Sequence, residues 1–178
     1  MGIPFDKLVP PKWGGPIPDR IAVEPMKLGP LVIDPPVILS PMAAVTNPAF
    51  RLLCREMGAG LVVTEMIYAR GLIHGDKKST RLLDLVAEEH PVCVQLFGKD
   101  PSELAEAARK VQASGADAVD LNMGCPMRKV VSSGHGAALL RDPRADVARV
   151  ARRGRVWRPV VAAHLPARAG DRPAHNTR

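Results

Sequence analysis

The residue of this chain best placed for chemistry is a cysteine held between a glycine and a proline. Cys125 stands in Asp120-Leu121-Asn122-Met123-Gly124-Cys125-Pro126, directly after an apolar run. That context fixes it in a tight turn at a strand end, not on a helix face. A cysteine in water titrates at about 8.5, so near neutrality it is mostly protonated and can donate a proton as well as act as a nucleophile. Cys54 and Cys93, on a helix face and in mid-strand, read as packed thiols. Three widely spaced cysteines without a C-x-x-C pair point to neither a disulfide framework nor a zinc site. Free thiols in a reducing compartment are expected, with no metal.

Ligands of parallel α/β sheets sit at the carboxyl ends of the strands. The residues just after each apolar run are therefore the other candidates: 40–45, 65–68, 95–98 and 122–126. Taken by type alone, Met42 reads as core and Gln95 as satisfying neighbouring main-chain groups. Glu65 and Tyr68 receive no role. His135, in a glycine-flanked loop, reads as facing solvent. Arg128 and Lys129 read as a solvated pair, although their place after the cysteine turn would also suit RNA phosphates.

Something must position these loop tips, and the chain has the elements to do it. Four short apolar runs, near Val37 to Leu39, Leu61 to Thr64, Val92 to Leu96 and Ala118 to Leu121, recur at the length of a βα unit, roughly 25 to 30 residues. Between them lie helices with legible ends. Asn47 caps one, Pro48 opens it, and Phe50, Leu53, Cys54 and Met57 share one face. Asp100-Pro101-Ser102-Glu103 starts another, with Leu104, Ala108 and Val111 on one stripe and Gly115 as its stop. A third is expected from Lys77 to Glu88, with Leu82, Leu83 and Val86 inward, and a fourth from Asp142-Pro143. Ahead of them, Lys27 to Asp34 reads as a hairpin about Gly29-Pro30, a lead-in able to act as a plug. Strands alternating with helices give an α/β fold with a parallel sheet.

Composition adds less than it first suggests. The formal charge is +7, but residues 152–178 hold seven arginines against one acid, so the first 151 residues are nearly neutral. Any case for RNA must rest on motifs and not on the basic balance. No apolar run approaches the roughly 18 residues of a membrane span, and the first residues lack an export pattern. The expectation is a cytoplasmic protein without membrane contact. Three regions follow: a Pro-rich lead-in, 1–36; an α/β body, 37–151; and an Arg/Ala/Pro-rich tail, 152–178, read as disordered or as the out-of-frame product of a GC-rich gene.

The strand-end segments, taken together, resemble the tRNA-dihydrouridine synthases of bacteria, of the B type, in their N-terminal portion. The resemblance rests on Ser40-Pro41-Met42-Ala43-Ala44-Val45-Thr46-Asn47, Val63-Thr64-Glu65-Met66, Val94-Gln95-Leu96-Phe97-Gly98, Asn122-Met123-Gly124-Cys125-Pro126 and Gly134-His135-Gly136-Ala137-Ala138-Leu139-Leu140, in order, within about Lys27 to Asp146. It implies a TIM-barrel flavoenzyme that reduces uridine in tRNA with FMN, recharged by NADPH. By the same resemblance Pro41, Met42 and Ala43 lie along the flavin ring with backbone groups touching it. Gln95 bonds the ring's pyrimidine edge and Asn122 faces the uracil. Cys125 protonates C5 as hydride reaches C6.

The resemblance is partial in extent. An eight-stranded barrel takes about 200 residues or more, so the expectation is a partial TIM (β/α)8 barrel of four or five βα units. The family's later lysine, phosphate grip and helical domain find no counterpart, which leaves the FMN site about half formed. Exposed barrel edges are then expected to drive self-association. Two other readings remain open: an FMN barrel acting on free pyrimidines, and a non-catalytic fragment.

Overall fold

The computed structural model describes residues 24–141 and, as backbone, 161–164. The chain enters through a hairpin, β1 (Met26–Leu28) and β2 (Leu31–Ile33), paired antiparallel. Gly29 takes the positive φ of 59° that opens its two-residue turn. The body follows with α1 (Pro48–Glu56), β3 (Val62–Val63), β4 (Ile67–Tyr68), α2 (Ala69–Ile73) and α3 (Lys77–Arg81). Next come β5 (Val92–Phe97), α4 (Pro101–Ala113), β6 (Ala118–Asn122), α5 (Arg128–Ser132) and β7 (Val161–His164). Short 3-10 turns lie at Ala87–Glu89 and Gly136–Arg141.

All the strands after the hairpin pair in parallel, in the order β3-β5-β6-β7, with β4 on the far end of β5 and a bridge from Ile38 to Leu61. The expected alternation of strands and helices about a parallel sheet is what the chain adopts. The helix expected from Asp142 lies outside the described residues, as does most of the 152–178 tail. Four residues of that tail, Val161–His164, form β7 against β6.

The two sheet faces are filled differently. Val94, Leu96, Val119 and Leu121 pack against Leu104, Ala107 and Val111 of α4. On the opposite face Cys93, Ala118, Leu61 and Val63 pack against Ile33, with Met26, Leu28 and Leu31 of the hairpin beside them. The hairpin thus covers part of this face. Gly60 lets the chain after the hairpin pass, because a Cβ there would lie 1.9 Å from the Pro35 carbonyl oxygen. Two residues further along β5 and β6, on the same face by strand alternation, stand Gln95 and Asp120.

Two helices depart from the sequence reading. The helix expected over 77–88 ends at Arg81. The chain turns there so that Glu89 can reach the buried Arg51: Glu89 is fully buried and its carboxylate accepts from Arg51 Nε and, at 3.0 Å, from Nη2. In α1 the apolar stripe is only half covered: Cys54 packs against Ala59, Val62 and Val92 and Phe50 is partly buried, whereas Leu53 and Met57 are exposed and Arg51 is the buried residue. The pairing with Glu89 draws Arg51 inward on α1 beside the packed Cys54. The caps themselves hold, with Asn47 Oδ1 accepting from Phe50 N at 3.0 Å and Asp100 Oδ1 accepting from Ser102 N at 2.7 Å.

Candidate active site

Cys125 sits in a turn that Asn122 organises. The Asn122 Oδ1 accepts from Gly124 N at 3.2 Å and from Cys125 N at 2.9 Å, so one side chain at the end of β6 holds both residues of the turn. The return loop closes over it. Ala137 N donates to Cys125 O at 3.1 Å, and a Cβ on Gly136, whose φ is 58°, would come within 2.7 Å of that same oxygen. Only glycine fits there. The thiol is left half-buried at the strand ends.

Asn122 joins this turn to two more strands. Its Nδ2 donates to Gln95 Oε1 at 3.0 Å and faces Met66 Sδ at 3.6 Å. Gln95 Nε2 in turn donates to Asp120 Oδ2 at 2.5 Å. The structure therefore brings Cys125, Asn122 and Gln95 together as one cluster. Sequence reasoning missed Asp120, whose signal was an acid inside an otherwise apolar strand run.

Met66 reaches the cluster because of a bulge. Val63 pairs with Cys93 and Ile67 with Leu96, so four steps on one strand face three on the other. Such an extra residue re-aims side chains. Here Thr64 Oγ1 accepts from Gln95 N at 3.2 Å, while Glu65 Oε2 accepts from Ala44 N at 2.5 Å. Glu65, given no role by sequence, ties the 40–47 loop to the cluster. Ala44 is held at φ 62°, a left-handed conformation that costs a non-glycine residue about 1 kcal/mol or more.

Pro41, Met42 and Ala43 lie on that loop. Thr46, fully buried, clamps it: Met42 N donates to Thr46 Oγ1 at 3.2 Å and Met42 O accepts from Thr46 N at 3.0 Å. The main-chain groups of Met42 are thus committed, and its 38% exposed side chain, with the exposed Ala43, is what remains to meet a ligand. Gln95 is 2% exposed and has one N–H given to Asp120 and one lone pair taken by Asn122. A cavity of about 650 Å³ opens on the far side of Ala43 and Ala44, toward Lys78 and Arg81. Glu65 and Asp84 line it too, which gives it no single sign of charge, and Cys125, Gln95 and Asn122 are not on its wall.

His135 does not face solvent as expected. It is 7% exposed, edge-on to Tyr68 and Phe97 at ring-centroid distances of 5.6 and 5.9 Å, with Ser133 Oγ 2.8 Å from Nδ1. Positive φ at Gly134 and Gly136 folds the loop back and tucks the ring in. Burial pushes its pKa below the ordinary value, Lys99 adds to that, and Glu103 opposes it. A depressed histidine favours the folded state while neutral, so its stabilisation is complete above the unfolded value, about 6.5, and is lost as pH falls below it. Urea melts from pH 8 to 5 are expected to show a stability loss that His135→Gln reduces; equal slopes would contradict this. Arg128 and Lys129, on α5, are exposed.

Among the described residues no group of His, Cys, Asp and Glu forms a metal cage, and no helix is long and apolar enough to cross a membrane. The family model for dihydrouridine synthase matches residues 38–156. The tRNA-dihydrouridine synthase B of Xanthomonas campestris pv. campestris is 48% identical over 117 residues, 66% of this chain and 35% of that protein. The protein of the same name from Pseudomonas aeruginosa is 44% identical over the same shares. A probable tRNA-dihydrouridine synthase of Mycobacterium tuberculosis is 41% identical over 131 residues, 67% of this chain and 34% of its own length. The chain spans about a third of the length of these curated relatives.

Proposed function

The chain belongs to the dihydrouridine synthase family, and from that premise we propose that it carries the flavin- and uridine-facing part of a tRNA-dihydrouridine synthase. It would be built on the first four or five βα units of a TIM barrel and would work in the cytoplasm. The observation that carries this reading is the tie from Cys125 through Asn122 to Gln95 and Met66, at the same strand ends as the exposed Met42 and Ala43. An acid, an amide and an apolar shelf on one side of a sheet suit a planar base held against a planar ring.

Each residue then has a task. Met42 and Ala43, with Pro41, hold FMN by its ring, and Gln95 offers its remaining N–H to the pyrimidine edge. FMN, recharged by NADPH, supplies the hydride that C6 of the uracil receives when the group is bound. The Cys125 Sγ–H gives its proton to C5, and the thiolate left behind regains a proton from water. Asn122 keeps the thiol turn in place and turns an N–H toward the base. The uridine must leave its stack in the tRNA to reach these groups, at a cost of a few kcal/mol.

The test is direct. Purified chain supplied with FMN is expected to retain flavin absorbance in the blue through gel filtration, and with NADPH to form dihydrouridine in unmodified tRNA while leaving free dihydroorotate untouched. Turnover of dihydroorotate in place of tRNA would favour the free-pyrimidine reading, and a colourless, inactive chain the non-catalytic one.

Two further proposals concern the rest of the chain. Val37 and Ile38, on the segment bridged to Leu61, are exposed, as are Leu53 and Met57 of α1. The chain as given is expected to self-associate or to be partly insoluble, and a monodisperse, cooperatively melting monomer in sedimentation and thermal scans would contradict that. Residues 152–178 are proposed to include an out-of-frame stretch, which translation of the other frames past codon 150 decides.

A further inference from the structure

We propose that Asp120 is a positioning residue that sets the direction of the whole amide chain leading to Cys125, an inference that rests on the functional reading above. A primary amide is nearly symmetric in shape, so only its partners decide which end is oxygen and which is nitrogen. Gly124 N and Cys125 N are donors, and they require the Asn122 oxygen. Asn122 Nδ2 must then find an acceptor, which is Gln95 Oε1. Gln95 Nε2 must find one in its turn, which is the Asp120 carboxylate. Asp120 Oδ2 is the acceptor toward which every amide in this chain points.

The parallel register makes this possible. Gln95 and Asp120 are direct neighbours across β5 and β6, and Asn122 follows Asp120 by two residues on the same face. Both Gln95 and Asp120 are buried, at 2% and 6% exposure, where a hydrogen bond is stronger and a mismatched pair costs more than in water. With its oxygen committed to the turn, Asn122 has an N–H left, now against the weakly accepting sulfur of Met66. That is the side which meets a ring carbonyl. The effect of Asp120 on the turn passes through Gln95 and Asn122.

Amide hydrogen exchange on the full chain reads this polarity without flavin or tRNA. With Asp120→Ala the amides of Gly124 and Cys125 are expected to lose about tenfold of their protection, the worth of one ordinary hydrogen bond. Asp120→Asn, whose own oxygen can still accept, is expected to restore most of it. The amides of Val94 and Val119, inside the sheet, should not change. Equal protection of Gly124 and Cys125 in all three proteins would overturn the proposal, and so would a loss spread evenly over the sheet. Should Asp120→Ala fail to fold, the wild-type chain still decides: the side-chain N–H protons of Gln95 are expected to exchange at least about tenfold more slowly than those of the exposed Asn47. Similar rates would end the idea. Because these readouts need no turnover, they can fail while tRNA reduction stands, or hold while it fails.

Discussion

Replacing Cys125 by Ala is expected to lower uridine reduction by roughly 10²- to 10⁴-fold, the span over which a positioned proton donor acts, while flavin absorbance is unchanged. The separation of the two effects follows from the geometry. The turn is held by the main-chain N–H groups of Gly124 and Cys125 on Asn122, and by the Cys125 carbonyl receiving Ala137 N. None of these bonds uses the sulfur. An alanine at 125 keeps them all, so the apolar shelf at Met42 and the amide of Gln95 remain as they were. Cys125→Ser tests the proton role more finely. A hydroxyl is a far weaker acid than a thiol, so this variant should fall nearly as far as alanine, although it differs by one atom. Single-turnover measurement of dihydrouridine formation, with flavin content taken from the spectrum, checks both. Full activity in Cys125→Ala would remove the acid role.

Glu89→Ala is expected to destabilise the fold by about 3–5 kcal/mol, the cost of leaving a buried charge without its partner. Arg51 is 2% exposed and Glu89 is fully buried, and the guanidinium gives Nε and Nη2 to the carboxylate and Nη1 to the Thr46 carbonyl at 2.8 Å. The same carboxylate accepts from Val86 N at 2.9 Å. One ion pair therefore anchors α1, the 3-10 turn before β5 and the loop that bears Met42. Removing both charges together, as in Arg51→Met with Glu89→Leu, is expected to cost clearly less than Glu89→Ala alone, because no orphaned ion remains. Urea midpoints of the three proteins give the comparison. A Glu89→Ala midpoint equal to wild type would show that the pair contributes little. Because Arg51 also holds Thr46, the single variant should weaken flavin binding at denaturant-free conditions even where it is still folded.

The contrast between these two residues shows what the sequence makes legible. The turn that holds Cys125 was legible because its signal is local: a Gly-Cys-Pro run follows directly on the apolar run that forms β6. The helix starts at Asn47 and Asp100 were legible for the same reason, since a cap bonds to groups two or three residues away. The Gly29 turn and the hairpin it closes belong with them. Arg51 and Glu89 are 38 residues apart, and nothing local in either predicts the other. Their pairing draws Arg51 of α1 inward beside an apolar stripe that is only half covered, and the helix from Lys77 ends at Arg81, earlier than its pattern suggests. His135 was misjudged because flanking glycines suggest an open loop, whereas here their positive φ folds the ring back onto Tyr68 and Phe97. The bulge between β3 and β4 could not be read either, because it exists only in the register against β5. Yet it is what brings Glu65 to Ala44 and Met66 to Asn122.

In the proposed function the loop tips converge on one hollow in which the Cys125 thiol faces a bound flavin ring. Alkylation of the three cysteines by iodoacetamide, resolved by mass spectrometry with and without FMN, tests it most directly. Cys93 is buried, whereas Cys54 and Cys125 are partly exposed. Cys125 is expected to be labelled in the free chain and protected when FMN is bound, while Cys54 is labelled alike in both and Cys93 stays unlabelled until the chain unfolds. Equal labelling of Cys125 in free and flavin-bearing protein would contradict it.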